Sequence, residues 1–160
     1  MTFAAKSPSD LLPPEKIITM SGLEFMQGIL DDKIAGAPIA ETLGFDLLEV
    51  AEGRVTFTGT PAFGALNPSG AVHGGWYGAL LDSALGCAVM TMVPKGSVYT
   101  TLEYKVNIAR AIRPGTVVDC VATVDHAGRS TGVAHGEIRG REDGKLYATG
   151  STTCIIMKIA

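Results

Sequence analysis

Between Arg54 and Lys95 the chain holds one formal charge, the carboxylate of Asp82, and that residue lies inside the apolar, small-residue run from Gly74 to Met90. The run has no internal proline and is too long for a typical strand, which predicts a helix of roughly 17 to 20 residues beginning at about His73. Apolar on nearly every side, such a helix has no face to give to water, so the rest of the chain must enclose it. Its Gly and Ala content lowers intrinsic helix propensity, and tertiary packing has to offset that. The lone Asp needs a reason to be there, because a carboxylate stripped of water is costly unless it is hydrogen-bonded or kept for chemistry.

The flanking sequence supplies the enclosure. Residues 1–20, with Pro8, Pro13 and Pro14, read as an irregular arm, and residues 21–160 as one domain. Ser21 and Glu24 have the capping-box spacing, and Leu23, Met26, Ile29 and Leu30 recur at helical intervals, so a short amphipathic helix is expected from about Gly22 to Lys33, stopped by Gly36 and Pro38. From Gly44 the period becomes two. Phe45 to Ala51 and Arg54 to Thr60 form a hairpin about Glu52-Gly53. A loop follows from Pro61 to Gly70, and then the neutral helix. Beyond Lys95-Gly96 four strands are expected, Val98 to Ile108, Thr116 to His126, Ser130 to Arg139 and Leu146 to Lys158, separated by Gly- and Pro-bearing turns. The result is an α+β pattern, β-β-α-β-β-β-β, in which a curved antiparallel sheet wraps the central helix and the last four strands run as a meander.

Composition narrows the partners. At 160 residues, with 46% hydrophobic and 18% charged residues, the chain has enough apolar surface for a real core. A net charge of −3 and the absence of any Lys or Arg block argue against nucleic acid. The opening residues lack a basic start followed by an apolar core, and the longest apolar run is broken by Asp82 and crowded with Gly. Neither a secretory signal nor a membrane span is therefore expected, and the expected location is cytoplasmic. Cys87, Cys120 and Cys154 are odd in number and widely spaced in apolar surroundings, which fits buried thiols. His126 and His135 have no companions at ligand spacing, so no metal is expected.

The segment Asn67-Pro68-Ser69-Gly70-Ala71-Val72-His73-Gly74-Gly75, followed by Asp82 eight residues after Gly74, resembles the N-x-x-G-x-x-H-G-G…D signature of hotdog-fold thioesterases of the phenylacetate-degradation (PaaI-like) type. The resemblance covers residues 40–158. It implies a hotdog fold, hydrolysis of acyl-CoA thioesters without a further cofactor, CoA being part of the substrate, and assembly as a homodimer or a dimer of dimers. By the same resemblance a hydroxyl from the strand after the helix sits near the carboxylate. Counting back from Pro114-Gly115 favours Thr101, and counting forward from Asp82 favours Thr100. Arg113 and the pair Arg129-Ser130 lie at turns where the family commonly meets the nucleotide and pantetheine of CoA, and guanidinium suits phosphate.

The chemistry of the residues agrees with the resemblance. The Gly74 N–H opens the enclosed helix, where unpaired amides and the helix dipole favour the negative charge that develops on a thioester oxygen. Glycine at Gly74 and Gly75 allows close approach of substrate. Asp82 can activate water as a general base or attack the carbonyl carbon itself, and the Asn67 amide can hold the water or the thioester. His73, beside two glycines, reads as a support that bonds backbone and shapes the turn. Eight residues at about 1.5 Å rise put roughly 12 Å between Gly74 and Asp82, too far for one thioester to touch both on a single helix. Acting together, they must come from different subunits facing each other across a two-fold axis; the resemblance implies a dimer of that kind, with the two sheets joined edge to edge. Two other classes share the cradle: a hotdog hydratase or dehydratase, which pairs a carboxylate with His at other spacings, and a non-catalytic acyl-CoA binding module, which gains nothing from an ion beside a thioester.

Overall fold

A computed structural model of the chain describes residues 2–159; Met1 and Ala160, the outermost residues of the expected arm and domain, lie outside the described residues. Its helices are α1 (Pro14–Ile17), α2 (Gly22–Leu30), α3 (Pro38–Leu43) and α4 (Gly74–Met90). Its strands are β1 (Phe45–Ala51), β2 (Arg54–Gly59), β3 (Ser97–Ile108), β4 (Val118–Ala127), β5 (Thr131–Gly140) and β6 (Leu146–Lys158). One antiparallel sheet carries all six in the order β1-β2-β4-β5-β6-β3 and curves around α4, which is the expected α+β hotdog architecture.

Helix α4 is the axis of the core. Leu80, Leu81, Ala84, Leu85, Ala88 and Val89 are fully buried, and the helix packs against β2, β3, β4, β5 and β6. Its start is fixed by His73, whose ring accepts from the backbone of the first turn, and Thr91 caps the other end. The sheet closes tightly on it because small residues line its inner face. A Cβ added at Gly132 of β5 would lie 2.5 Å from Val89 Cγ1, so only glycine lets the strand approach this near.

Four expectations are corrected. The last four strands are not a meander: β4, β5 and β6 are, but β3 pairs with β6 and β4 pairs with β2. The connection from β3 to β4 spans residues 109–117 and buries Ile112, whose N–H donates to the Tyr77 hydroxyl at 2.7 Å; a tight hairpin would leave that contact unmade. Pro38 does not merely stop α2 but opens α3 at its first position, where its missing N–H costs nothing, and Gly44 ends α3 at φ 71°. Helix α2 closes at Leu30, short of Lys33, because Asp31 caps it and Asp32 turns the chain through φ 58°. The arm is less irregular than expected, with a 3-10 turn at Pro8–Asp10 and the single turn of α1. Among the described residues no helix is long and apolar enough to cross a membrane.

Candidate active site

One face of α4 places Gly74, Gly78, Asp82 and Gly86 in a row, four residues apart, and β3 lies along that face. The Tyr99 hydroxyl comes within 3.2 Å of where a Gly86 Cβ would be, the Tyr104 hydroxyl within 3.3 Å of a Gly78 Cβ, and Ile108 Cδ1 within 3.5 Å of a Gly74 Cβ. Asp82 is the one residue of the row with a functional side chain. Its carboxylate accepts from Thr101 Oγ1 at 3.3 Å, and Thr101 Oγ1 also lies 3.9 Å from Cys154 Sγ.

The β3 register brings Thr101 to this position. A bulge between Thr101 and Glu103 leaves Leu102 exposed and shifts the residues that reach α4 from Tyr99 and Thr101 to Tyr104 and Ile108, both of which stay partly open to solvent. Bulges of this kind re-aim side chains beside functional sites. Strand alternation turns Thr100 away from the helix, and it is exposed and outside the cavity that Asp82 lines.

That cavity has a volume of about 380 Å³ and runs between α4, α2, α3 and strands β1 to β3. Asp82 and Ser83 face it beside apolar groups such as Met26, Phe45, Phe57 and Tyr99. The other charged groups on its wall are engaged elsewhere, Lys6 with Glu41 and Asp46 with Thr2. Burial, and then the Asp82 charge, push the Cys87 thiol up to about 12. Burial also raises the Tyr99 phenol well above its ordinary range, and the nearby thiols and Asp82 add to that. Both groups therefore stay neutral beside the carboxylate, and among the described residues no cation pairs with it.

The other expected residues gather at the opening of α4. Loop 65–73 is closed by a Leu66–Val72 bridge and by the His73 N–H, which donates to the Ala65 carbonyl at 2.8 Å. The Asn67 side-chain oxygen accepts from Ser69 N at 3.0 Å, Ser69 Oγ at 2.7 Å and Ala71 N at 3.1 Å, which ties its carbonyl into the loop and leaves its NH2 without a partner among the described residues. His73 Nδ1 accepts from the Gly75 N–H at 2.8 Å, so the neutral ring carries its proton on Nε2. The imidazole is an N-cap. The Gly74 N–H is exposed at the first helical position, with no partner among the described residues. None of Asn67, His73, Gly74 or Gly75 lines the Asp82 cavity.

The expected set thus divides into two clusters within one chain: Asp82 with Thr101, and Asn67, His73, Gly74 and Gly75 at the helix start. Arg113 stands apart from both, in a polar cleft of about 720 Å³ with Arg110, Lys145, Glu142 and Asp143. Arg129 and Ser130 are exposed at the β4–β5 turn and outside the Asp82 cavity. The sequence reading missed Tyr99, Gly86 and Cys87 as neighbours of Asp82, and missed the approach of Thr2, Phe3, Ala4 and Lys6 to the same cavity. The i, i+4 recurrence of Gly74, Gly78, Asp82 and Gly86 was a usable signal for the first group.

Comparison with known proteins agrees with this architecture. The sequence model of the Thioesterase superfamily matches residues 69–147. A protein of Deinococcus radiodurans named "Putative esterase" is 33% identical over 111 residues, covering 68% of this chain and 72% of that one. A conserved protein of Pseudomonas aeruginosa superposes with a TM-score of 0.70 at 32% identity, covering 76% of this chain and 95% of that one. A mutant of the phenylacetic acid degradation protein PaaI from Thermus thermophilus does so with a TM-score of 0.67 at 29% identity, covering 74% and 97%. With a hotdog fold, a relative one-third identical over most of its length and PaaI among its structural neighbours, the chain belongs to the thioesterase superfamily.

Proposed function

We propose that the chain hydrolyses acyl-CoA thioesters to a free acid and CoA, at a site assembled from two copies, each giving one of the clusters described above. The observation that carries this reading is the Asp82 carboxylate, which faces an apolar cavity and is bonded by the Thr101 hydroxyl rather than consumed by backbone amides. A structural carboxylate would be saturated; this one is held and left accessible.

In the proposed reaction the thioester carbonyl oxygen accepts from the Gly74 N–H of one copy, at the positive end of α4, while the carbonyl carbon faces Asp82 of the other. His73 holds the helix start and so aims the amide. The Asn67 NH2 donates to the attacking water or to the thioester. Asp82, oriented by Thr101, takes the proton of the water, whose oxygen forms the new bond to carbon; the C–S bond then breaks, and the sulfur leaves with the proton that Asp82 returns. Direct attack by Asp82 gives the same products through an anhydride that water opens. The chemistry draws on no metal or redox cofactor. Arg113, with Arg110 and Lys145, suits the phosphates of CoA, and a dimer of dimers extends the same assembly. The PaaI neighbour supports an aryl acyl group, and the cavity size also suits short and medium chains.

The test is thiol release across aryl, short, medium and long acyl-CoA, with Asp82→Asn as the control. Release is expected for at least one class, and the variant should lose about a hundredfold or more of turnover while keeping its fold by circular dichroism. Release by the variant at the wild-type rate would remove Asp82 from the mechanism.

A further inference from the structure

The cavity that reaches Asp82 is walled on its other side by a segment the hotdog pattern does not include. Thr101 and Tyr99 belong to β3, one edge of the sheet, and Asp46 belongs to β1, the opposite edge. The cavity spans the gap between these edges, and residues Thr2, Phe3, Ala4 and Lys6 line it. The Thr2 N–H donates to both Asp46 carboxylate oxygens, at 3.0 and 2.9 Å, and the Thr2 hydroxyl donates to the same carboxylate. The Phe3 N–H donates to Asp32 Oδ1 at 2.6 Å. A parallel bridge joins Ala4 to Gly36, with the Gly36 N–H donating to the Phe3 carbonyl at 2.7 Å and the Ala5 N–H to the Gly36 carbonyl at 3.0 Å. Lys6 pairs with Glu41 of α3. Ala5 is buried beneath these contacts.

A loosely associated arm would not repeat such contacts residue by residue. Each is nevertheless modest and several are exposed, and ordering the segment costs backbone entropy, so it is held in place without being locked. An acyl group whose carbonyl lies at Asp82 on the β3 side has to extend toward the β1 side, where this segment meets it. At about 30 Å³ per small group, the space holds on the order of a dozen heavy atoms.

We propose that residues Thr2–Lys6 are the acyl-length gauge of this enzyme: a strap that closes the cavity at the β1 edge and restricts it to aryl or medium-chain acyl groups. The inference rests on the proposed function for the identity of the ligand and adds the element that limits its size.

The experiment separates the two. Binding of a non-hydrolysable series of S-alkyl-CoA thioethers, from two to sixteen carbons, is measured by calorimetry for the full chain and for a deletion of residues 2–6. In the full chain affinity should peak at medium length and fall beyond about ten carbons. In the deletion the ratio of sixteen-carbon to eight-carbon affinity should rise at least about tenfold. A variant carrying Thr2→Ala and Lys6→Ala keeps the chain length, removes two anchors and should move the ratio in the same direction by about threefold; it decides the matter if the deletion does not fold. Identical length profiles in all proteins, or no saturable binding of any thioether, would overturn the inference. A shifted binding profile with no thiol release from any acyl-CoA would leave the strap standing and remove the hydrolase reading instead.

Discussion

Thr101 Oγ1 donates to Asp82 Oδ1 at 3.3 Å across a seam where β3 lies almost on the backbone of α4. The approach is possible because Gly86, one turn further along the helix, has no side chain to hold the strand off; Thr101 Oγ1 sits 3.7 Å from where its Cβ would be. The hydroxyl is placed to orient the carboxylate.

Thr101→Val keeps the shape of the side chain and deletes the donor. A hydrogen bond to a charged group contributes about 1.5–3 kcal/mol, so turnover should fall by roughly tenfold to a hundredfold. KM should change little, and Thr101→Ser should recover most of the loss. Steady-state kinetics of the three proteins check this; a Val variant as active as the wild type would leave the hydroxyl no part in orienting Asp82.

His73 contributes as an N-cap, through the 2.8 Å bond from the Gly75 N–H to its Nδ1. His73→Ala should cost about 1 kcal/mol and lower Tm by about 2–4 °C. Asn is among the best N-cap residues, so His73→Asn should restore both Tm and turnover. A His73→Asn protein with wild-type Tm and the turnover of the Ala variant would show that the imidazole does more than hold the helix.

Cys87 faces the cavity with its thiol pushed up to about 12 by burial and by the Asp82 charge. At pH 8 about one molecule in ten thousand then carries the thiolate, against about a quarter for an ordinary thiol. Burial raises Cys120 and Cys154 as well. Intact-mass analysis after iodoacetamide at pH 8 should therefore find the folded protein unmodified, and three additions in denaturant, one for each free cysteine. Rapid single labelling of the folded protein at Cys87 would show that burial and the Asp82 charge do not hold this thiol neutral.

The helix from Gly74 to Met90 could be read from the sequence because its signals are local: an apolar run, a cap at His73 and no proline. Strand positions were legible for the same reason, through period two and Gly- or Pro-bearing turns. The placement of β3 beside β6 was not, since pairing between Ser97 and Lys158 depends on how the whole sheet closes and no neighbouring residue records it. Counting from Asp82 and counting from Pro114-Gly115 disagreed on Thr100 and Thr101, because the forward count crosses the loop between Met90 and Ser97, whose length no periodicity fixes. Asn67, His73 and Gly74 were legible as a motif, and the separation of Gly74 at the start of α4 from Asp82 at its middle needed only the helical rise. The strap was illegible: Thr2 meets Asp46 across 44 positions, and nothing in either residue marks the other.

The separation of Gly74 from Asp82 gives the sharpest test of the shared site. Gly74 occupies the first position of α4, and His73 before it has φ −63° and ψ 139°, the extended conformation that a following proline requires. Gly74→Pro is thus compatible with the helix start while deleting the N–H assigned to the thioester oxygen. Its turnover should fall by about a hundredfold to a thousandfold, the usual cost of losing an oxyanion donor, with Tm nearly unchanged. Asp82→Asn should be equally poor. Mixed in equal amounts, unfolded together and refolded, the two inactive proteins form hybrid dimers in which one site has both defects and the other has neither. Half of the dimers are hybrids with one intact site each, so activity should return to about a quarter of the wild-type level. A site complete within one chain regenerates nothing, and a mixture that stays inactive while hybrids are demonstrably present would rule out the division of labour between Asp82 of one copy and Gly74 of the other.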